Sequence, residues 1–172
     1  MPRAREALAY GIALALAAVM VFRVQGYLRV YDVDVGDRAP LFRVEGEQGV
    51  GVSLEDYEGK VVLLNFWATW CPPCIQEMPS LNALYADLRD SGLVVLGISV
   101  DEDADQYEAF LERSGVSFPT ARDPDRTVST RYGTAKYPES YLISRTGRVL
   151  RKYVGPENWL KPEIANYLRS VL

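Results

Sequence analysis

Two cysteines separated by two prolines are the side chains of this chain best suited to chemistry, in the segment Trp70-Cys71-Pro72-Pro73-Cys74. They are the only cysteines among 172 residues, and the chain contains no histidine. Two thiols without a histidine cannot build an ordinary Cys/His zinc site. Because Ile75 follows Cys74, the Cys-x-x-Cys-His pattern of haem attachment is absent as well. We therefore expect no metal and no cofactor, and a cysteine pair that is either redox-active or a structural disulfide.

The elements predicted around the pair favour redox chemistry. The apolar run Val61–Phe66 predicts a buried strand, and apolar residues at helical spacing after Cys74 predict a helix that ends at Ser91-Gly92. Cys71 would then begin a helix, where unpaired backbone N–H groups lower the pKa of a thiol and favour the attacking thiolate. A structural disulfide that closes so short a loop would stabilise the fold little.

The two prolines suit the first positions of that helix, where a missing N–H costs little. Pro72 and Pro73 also remove donors that could otherwise reach the Cys71 sulfur, so the sequence leaves the pKa of Cys71 open. We expect Cys71 to attack a substrate disulfide and Cys74 to resolve the mixed disulfide. Run in reverse, the same pair oxidises dithiols.

The remainder of the chain predicts one α/β domain, a mixed β-sheet flanked by helices. A composition of 48% hydrophobic and 24% charged residues suits an ordinary globular core. Strand, helix, strand and helix are followed by an antiparallel hairpin and a last helix. Strands are predicted at 41–45, 50–54, 61–66, 93–100, 139–144 and 149–154, and helices after the cysteines, around 107–111, at 124–132 and at 159–172.

The amino-terminal segment resembles a targeting sequence. Ala7 to Phe22 carry no charge, and Arg3 and Arg5 precede them, which the positive-inside rule interprets as a cytoplasmic amino terminus. We expect residues 1–28 to contain a membrane anchor over 7–28, residues 29–38 to be a linker, and the domain to occupy 39–172 outside the cytoplasm. A cleaved signal peptide is the alternative, because small residues recur two apart at Ala13–Ala17.

The charge distribution excludes one class of partner. The chain holds 19 basic and 23 acidic residues, and four of the basic ones lie in the first thirty positions. The acidic remainder argues against a nucleic-acid partner.

An exported domain meets an oxidising or redox-managed compartment, where a lone cysteine pair has a chemical use.

The segment from Asn65 to Pro79 resembles the TlpA and ResA branch of the thioredoxin superfamily, in its pattern Trp-Cys-x-Pro-Cys-x-x-Glu-x-Pro. These are membrane-tethered extracytoplasmic reductases, several of which serve cytochrome c maturation. The resemblance runs from about Val35 to Leu172. It implies a thioredoxin-like fold with an added amino-terminal β-hairpin at 41–54 and an inserted strand–helix unit at 93–114. It also implies protein disulfide substrates and a membrane electron donor.

Substrate-binding residues follow from the same resemblance. The stretch Gly133–Ile143 is similar to the Gly-x-x-x-x-Pro segment that precedes a strand in this family. The resemblance implies that Pro138 is a cis-proline that faces the cysteines. It also implies that the backbone of Tyr137 pairs with substrate chains. Trp70 is expected to form a contact surface beside Cys71. Pro72 and Pro73 complete the expected substrate-binding set.

One departure from ordinary thioredoxins concerns proton transfer. Those proteins carry a buried acid six residues before the first cysteine, where this chain has Asn65. An amide cannot accept and return a proton, and ResA-type proteins carry a glutamate at the position of Glu77. We therefore expect Glu77 to handle the proton of Cys74, with a pKa raised by burial.

Three other functions remain open at this point. An oxidase or isomerase would use the same residues. A peroxiredoxin-like peroxidase usually has a Thr-x-x-Cys pattern, whereas Thr69-Trp70-Cys71 is one residue short of it. A binding module or chaperone on a thioredoxin scaffold would need neither cysteine.

Overall fold

The computed structural model describes residues 2–27, 32–45 and 51–172. They divide into two compact units between Tyr31 and Asp32. The elements are α1 (Pro2–Tyr27), β1 (Arg43–Glu45), β2 (Gly51–Ser53), β3 (Val61–Trp67), α2 (Pro72–Leu88), β4 (Leu93–Ser99), α3 (Ala104–Ser114), β5 (Thr120–Arg122), α4 (Thr127–Tyr132), β6 (Glu139–Ile143), β7 (Val149–Val154) and α5 (Pro162–Val171).

The first unit contains the helix α1. Its described apolar side chains between Tyr10 and Val21 are exposed. Within the described ranges, no helix is both long enough and apolar enough to cross a membrane. The anchor predicted over 7–28 extends to Leu28, which lies outside the described residues, as does Val50 of the predicted hairpin.

The second unit begins earlier than the domain predicted from residue 39. Val33 is buried, the N–H of Gly36 donates to the carbonyl of Val149 at 2.8 Å, and the N–H of Val149 donates to the carbonyl of Asp37 at 2.9 Å. Residues 33–37, which the sequence placed in a linker, therefore pack against β7. Sequence pattern could not show this, because the stretch has no regular secondary structure.

The predicted mixed sheet is confirmed, with strand order β5-β4-β3-β6-β7. β3 runs parallel to β4 and antiparallel to β6, so it lies at the centre with all seven residues buried. This explains its continuous apolar run, since both of its faces are covered. β1 and β2 form the predicted hairpin as a separate small sheet. The edge strand β5 was not predicted, because three residues are too short for a recognisable pattern.

Helices and loops cover both faces of the sheet, as the predicted fold requires. Alternate residues of β3 enter different cores because successive side chains of a strand point to opposite faces. Leu63 and Trp67 pack in the core that holds the buried faces of α2 and α5, with Leu81 and Leu168 at 0% exposure. Leu64 and Phe66 pack in the other core.

Two helices begin later than predicted. α4 begins at Thr127 rather than 124, because the buried carboxylate of Asp123 accepts hydrogen bonds from the N–H groups of Thr127, Val128 and Ser129. α5 begins at Pro162 rather than 159, because proline suits the first turn of a helix.

Candidate active site

The cysteine pair lies where the central strand β3 meets α2. After β3 the chain makes a turn over Ala68–Cys71, in which the N–H of Cys71 donates to the carbonyl of Ala68 at 3.2 Å. Cys71 is the residue that caps α2, and Pro72 and Pro73 fill the first positions of the helix. The predicted placement of Cys71 at a helix amino terminus is therefore confirmed.

The two cysteines form a disulfide, with Cα atoms 5.3 Å apart. The N–H of Cys74 also donates to Sγ of Cys71 at 3.3 Å. Cys71 is 5% exposed and Cys74 is fully buried, so Cys71 is the sulfur that a substrate can reach. The opposite assignment, with Cys74 as the attacking thiol, is disfavoured by burial.

Glu77 lies one helical turn beyond Cys74 and is only 3% exposed. Its Oε1 accepts from Nδ2 of Asn65 at 2.8 Å, and its Oε2 accepts from the N–H of Glu157 at 2.9 Å. Burial raises the pKa of Glu77 to about 7, although these two donors and the indole of Trp159 lower it. The structure agrees with the raised pKa expected from the sequence.

Asn65 has a role that the sequence did not reveal. Besides Glu77, its Nδ2 donates to Oγ of Ser140 at 2.9 Å. Its own Oδ1 is buried, and it has no hydrogen-bond partner among the described residues. The sequence singled out Asn65 only as the replacement of a buried acid, and the signal for its structural role is that it is the one amide side chain in the apolar run of β3. Glu157 gave no comparable signal, because it acts through its backbone.

The residues predicted to bind substrate collect near the same end of the sheet. Trp70 is 54% exposed, and its ring meets the ring of Tyr137 edge to face at a centroid distance of 6.1 Å. The peptide bond from Tyr137 to Pro138 is cis, as the resemblance implied. Pro138 immediately precedes β6, whose Glu139 pairs with Phe66 of β3. Pro72 is exposed and Pro73 half-buried on the first turn of α2.

A second buried acid near this end of the sheet was also missed. Glu139 directly follows Pro138 and is 5% exposed. Its Oε1 lies 3.4 Å from Nζ of Lys152, which itself contacts Asp32 at 2.6 Å. Sequence alone could not indicate this pairing, because Lys152 reaches Glu139 only through the antiparallel register of β6 and β7.

The described residues offer no metal centre. Within the ranges that the structure covers, no group of three or more Asp, Glu or Cys side chains is arranged to hold a metal ion. Together with the cysteine pair, the buried carboxyl group of Glu77 and the amide of Asn65 form one set. That set can exchange disulfides and move one proton.

Comparison with known proteins agrees with this chemistry. A family model described as the AhpC/TSA family matches residues 35–152. The thiol-disulfide oxidoreductase ResA of Geobacillus thermodenitrificans is 38% identical over 139 residues, which are 81% of this chain and 79% of the relative. ResA of Bacillus anthracis is 34% identical over 139 residues, with the same coverage.

A solved structure assigned as the thiol:disulfide interchange protein DsbE of Chlorobium tepidum has 35% sequence identity and a TM-score of 0.71, and covers 81% of this chain and 95% of that one. The thioredoxin domain of a thiol-disulfide oxidoreductase from Bacteroides vulgatus, at 24% identity and a TM-score of 0.72, shares the fold. The chain therefore belongs to the AhpC/TSA family of the thioredoxin superfamily, as a ResA-like thiol–disulfide oxidoreductase.

Proposed function

We propose that this oxidoreductase reduces protein disulfides outside the cytoplasm. The thiolate of Cys71 attacks a substrate disulfide, forms a mixed disulfide and releases the first substrate thiolate. Cys74 then passes its proton to the carboxylate of Glu77 and attacks Sγ of Cys71, which releases the second substrate thiolate. The substrate gains two electrons, and the resulting Cys71–Cys74 disulfide is reduced again by a dithiol donor associated with the membrane.

The observation that carries the reducing direction is the sparse set of donors at the Cys71 sulfur. A side chain that caps a helix accepts hydrogen bonds from the N–H groups of the second and third helical residues. Here the second is Pro73, which has no N–H, and among the described residues only the N–H of Cys74 donates to Sγ. Strongly oxidising pairs such as that of DsbA arise because the reduced form is stabilised. A thiolate with fewer donors favours the disulfide and makes the reduced protein a stronger reductant.

Equilibration with glutathione or dithiothreitol buffers tests this direction. We expect the potential of the Cys71–Cys74 couple to lie nearer to about −270 mV, as in thioredoxin, than to about −120 mV, as in DsbA. We expect Pro73→Ala, which restores a donor, to raise the potential by about 30 mV, equivalent to about 1.4 kcal/mol. Pro72→Ala is the matched control, because the first N–H of a helix does not reach the capping side chain. A wild-type potential near that of DsbA would overturn the proposal.

The extracytoplasmic location rests on the amino-terminal sequence. Arg3 and Arg5 precede the uncharged run Ala7–Phe22, and the described apolar side chains of α1 are exposed. Resemblance to ResA-type proteins further supports a disulfide in an apocytochrome c as one substrate. A general protein disulfide of the same compartment fits the same site.

Labelling of intact cells tests the location. We expect a membrane-impermeant maleimide to label Cys71 of the reduced full-length chain in unbroken cells. Replacing both Arg3 and Arg5 with glutamate reverses the charge bias that sets orientation, and should abolish the labelling. Intact mass separates the two export routes, because a cleaved signal peptide shortens the protein and an anchor does not. Labelling only after cell lysis would contradict export.

A further inference from the structure

A buried carboxylate, absent from the exchange steps described above, contacts the turn that leads into Cys71. Asp101 lies two residues beyond the end of β4 and is 2% exposed. Its Oδ2 accepts from the N–H of Thr69 at 2.9 Å, and its Oδ1 accepts from the hydroxyl of Thr69 at 2.7 Å. The hydroxyl of Ser99 donates to Oδ2 at 2.5 Å. The carboxylate thus receives three donors, two of them from a single residue of the turn.

Thr69 occupies the position from which the turn can be controlled. The turn runs from Ala68 to Cys71, so Thr69 and Trp70 are its two central residues. Trp70 is half exposed, and Cys71 caps α2. Thr69 therefore belongs to the same turn as Trp70 and Cys71 and directly precedes Trp70.

The segment that carries Asp101 is itself held in place. The N–H of Val100 donates to the carbonyl of Trp67 at 2.9 Å, which extends the pairing of β3 and β4 beyond the last ladder residue. The guanidinium of Arg122 donates to the carbonyl of Glu102 at 2.9 Å. The N–H of Asp101 donates to Oγ of Ser99 at 3.0 Å. These bonds fix the position of Asp101, and the contacts of its carboxylate with Thr69 order the turn.

We propose that Asp101 is a positioning residue for Cys71 and Trp70, which acts through its hydrogen bonds to Thr69. Without them, the turn gains freedom and Sγ of Cys71 is no longer held at the amino terminus of α2, where the helix favours a thiolate. The inference rests on thiol–disulfide chemistry at Cys71. It does not depend on the direction of electron flow, the substrate or the compartment.

Two substitutions at one position separate the hydrogen bonds from the charge. Asp101→Asn and Asp101→Ala both remove the negative charge, but only asparagine keeps a carbonyl oxygen that can accept from Thr69. The readout is the pH profile of Cys71 alkylation by iodoacetamide in the fully reduced protein, which reports the thiol pKa. We expect the Cys71 pKa to be higher in Asp101→Ala than in Asp101→Asn by about half a unit or more, a roughly threefold loss of thiolate at neutral pH.

Asp123 supplies a matched control within the same chain. It is also buried, and its Oδ1 accepts both the N–H and the hydroxyl of a threonine, Thr127, at 3.0 Å. We expect Asp123→Ala and Asp123→Asn to lower the melting temperature and to leave the Cys71 pKa the same in both. Equal Cys71 pKa values in the two Asp101 variants would overturn the proposal. It would also be overturned if the Cys71 pKa differed between Asp123→Ala and Asp123→Asn by as much as between the two Asp101 variants.

A second pair of variants tests the proposal even if the Asp101 variants do not fold. Thr69→Val is close in shape to threonine but loses the hydroxyl donor, whereas Thr69→Ser keeps it. We expect Thr69→Val to raise the Cys71 pKa relative to Thr69→Ser, with Asp101 unchanged in both. Indistinguishable alkylation profiles for these two proteins would also overturn the proposal.

Discussion

Replacing Cys74 with alanine is expected to turn Cys71 into a trap for its substrate. The Cys71 thiol can still attack, but the mixed disulfide cannot be resolved because this variant contains no second cysteine. We expect turnover of a protein disulfide to fall by about three orders of magnitude or more, and a covalent adduct to accumulate. The measurement is a non-reducing gel, followed by identification of the captured protein by mass spectrometry.

The double variant Cys71→Ser, Cys74→Ala is the control for this trap. It lacks both cysteine sulfurs and should capture nothing, because serine does not replace a thiolate. An apocytochrome c in the trapped adduct would support the substrate proposed above. Fast oxidation of Cys71 to a sulfenic acid by one equivalent of hydrogen peroxide in Cys74→Ala would instead favour a peroxidase. Cellular activity retained by the double variant would favour a non-enzymatic role.

Replacing Glu77 with glutamine is expected to remove the part of the pH dependence of the resolving step that comes from a group with a pKa of about 7. The pKa of Glu77 is about 7, so its carboxylate is available to take the proton of Cys74 above neutral pH and is lost as the pH falls through 7. A positioned general base contributes about 100-fold or more, so we expect glutathione release from a Cys71–glutathione mixed disulfide to slow by about 100-fold at pH 8. The difference should shrink towards pH 5. The initial attack by Cys71 serves as the internal control.

The same substitution is also expected to change how the free energy of unfolding depends on pH. Glu77 has a pKa raised from 4.5 to about 7, so the native state binds its proton more tightly than the unfolded state does. The associated stabilisation is complete below about pH 4.5 and is lost as the pH rises to 7, an effect of about 3 kcal/mol. Glutamine cannot titrate, so we expect this slope to be absent from Glu77→Gln.

Denaturant unfolding of the oxidised protein between pH 4 and pH 8 measures this slope. The disulfide removes both thiols from the titration, and the chain contains no histidine to titrate in that range. Glutamine can be accommodated, because rotation of the Asn65 amide presents its unpartnered Oδ1 to the new amide group. Parallel pH profiles for the wild type and Glu77→Gln would contradict the raised pKa.

The reacting pair and the elements around it could be predicted because their signals are local. The run Val61–Phe66 indicated a buried central strand, and the spacing after Cys74 indicated the helix that Cys71 caps. Prolines at the first positions of that helix are recognisable from the neighbouring residues alone. The resemblance added the cis peptide bond before Pro138, which the structure confirms.

The elements that were missed or misplaced depend on partners distant along the chain. β5 has only three residues and is identified by its pairing with β4. Residues 33–37 lack a secondary-structure pattern and are held by hydrogen bonds to Tyr132 of α4 and to Val149 of β7. The start of α4 depends on the side chain of Asp123, which favours a helix beginning at Thr127.

By itself, the sequence placed Cys71 at the start of a helix and predicted Glu77 as the nearby proton carrier. These assignments need only spacing along the chain and a resemblance carried by adjacent residues. The tertiary structure alone decided the surroundings of Glu77: the amide of Asn65, 12 residues away, and the backbone of Glu157, 80 residues away. The burial that raises the Glu77 pKa exists only after β3, α2 and the chain beyond β7 pack together, because a local segment cannot exclude water from its own carboxylate.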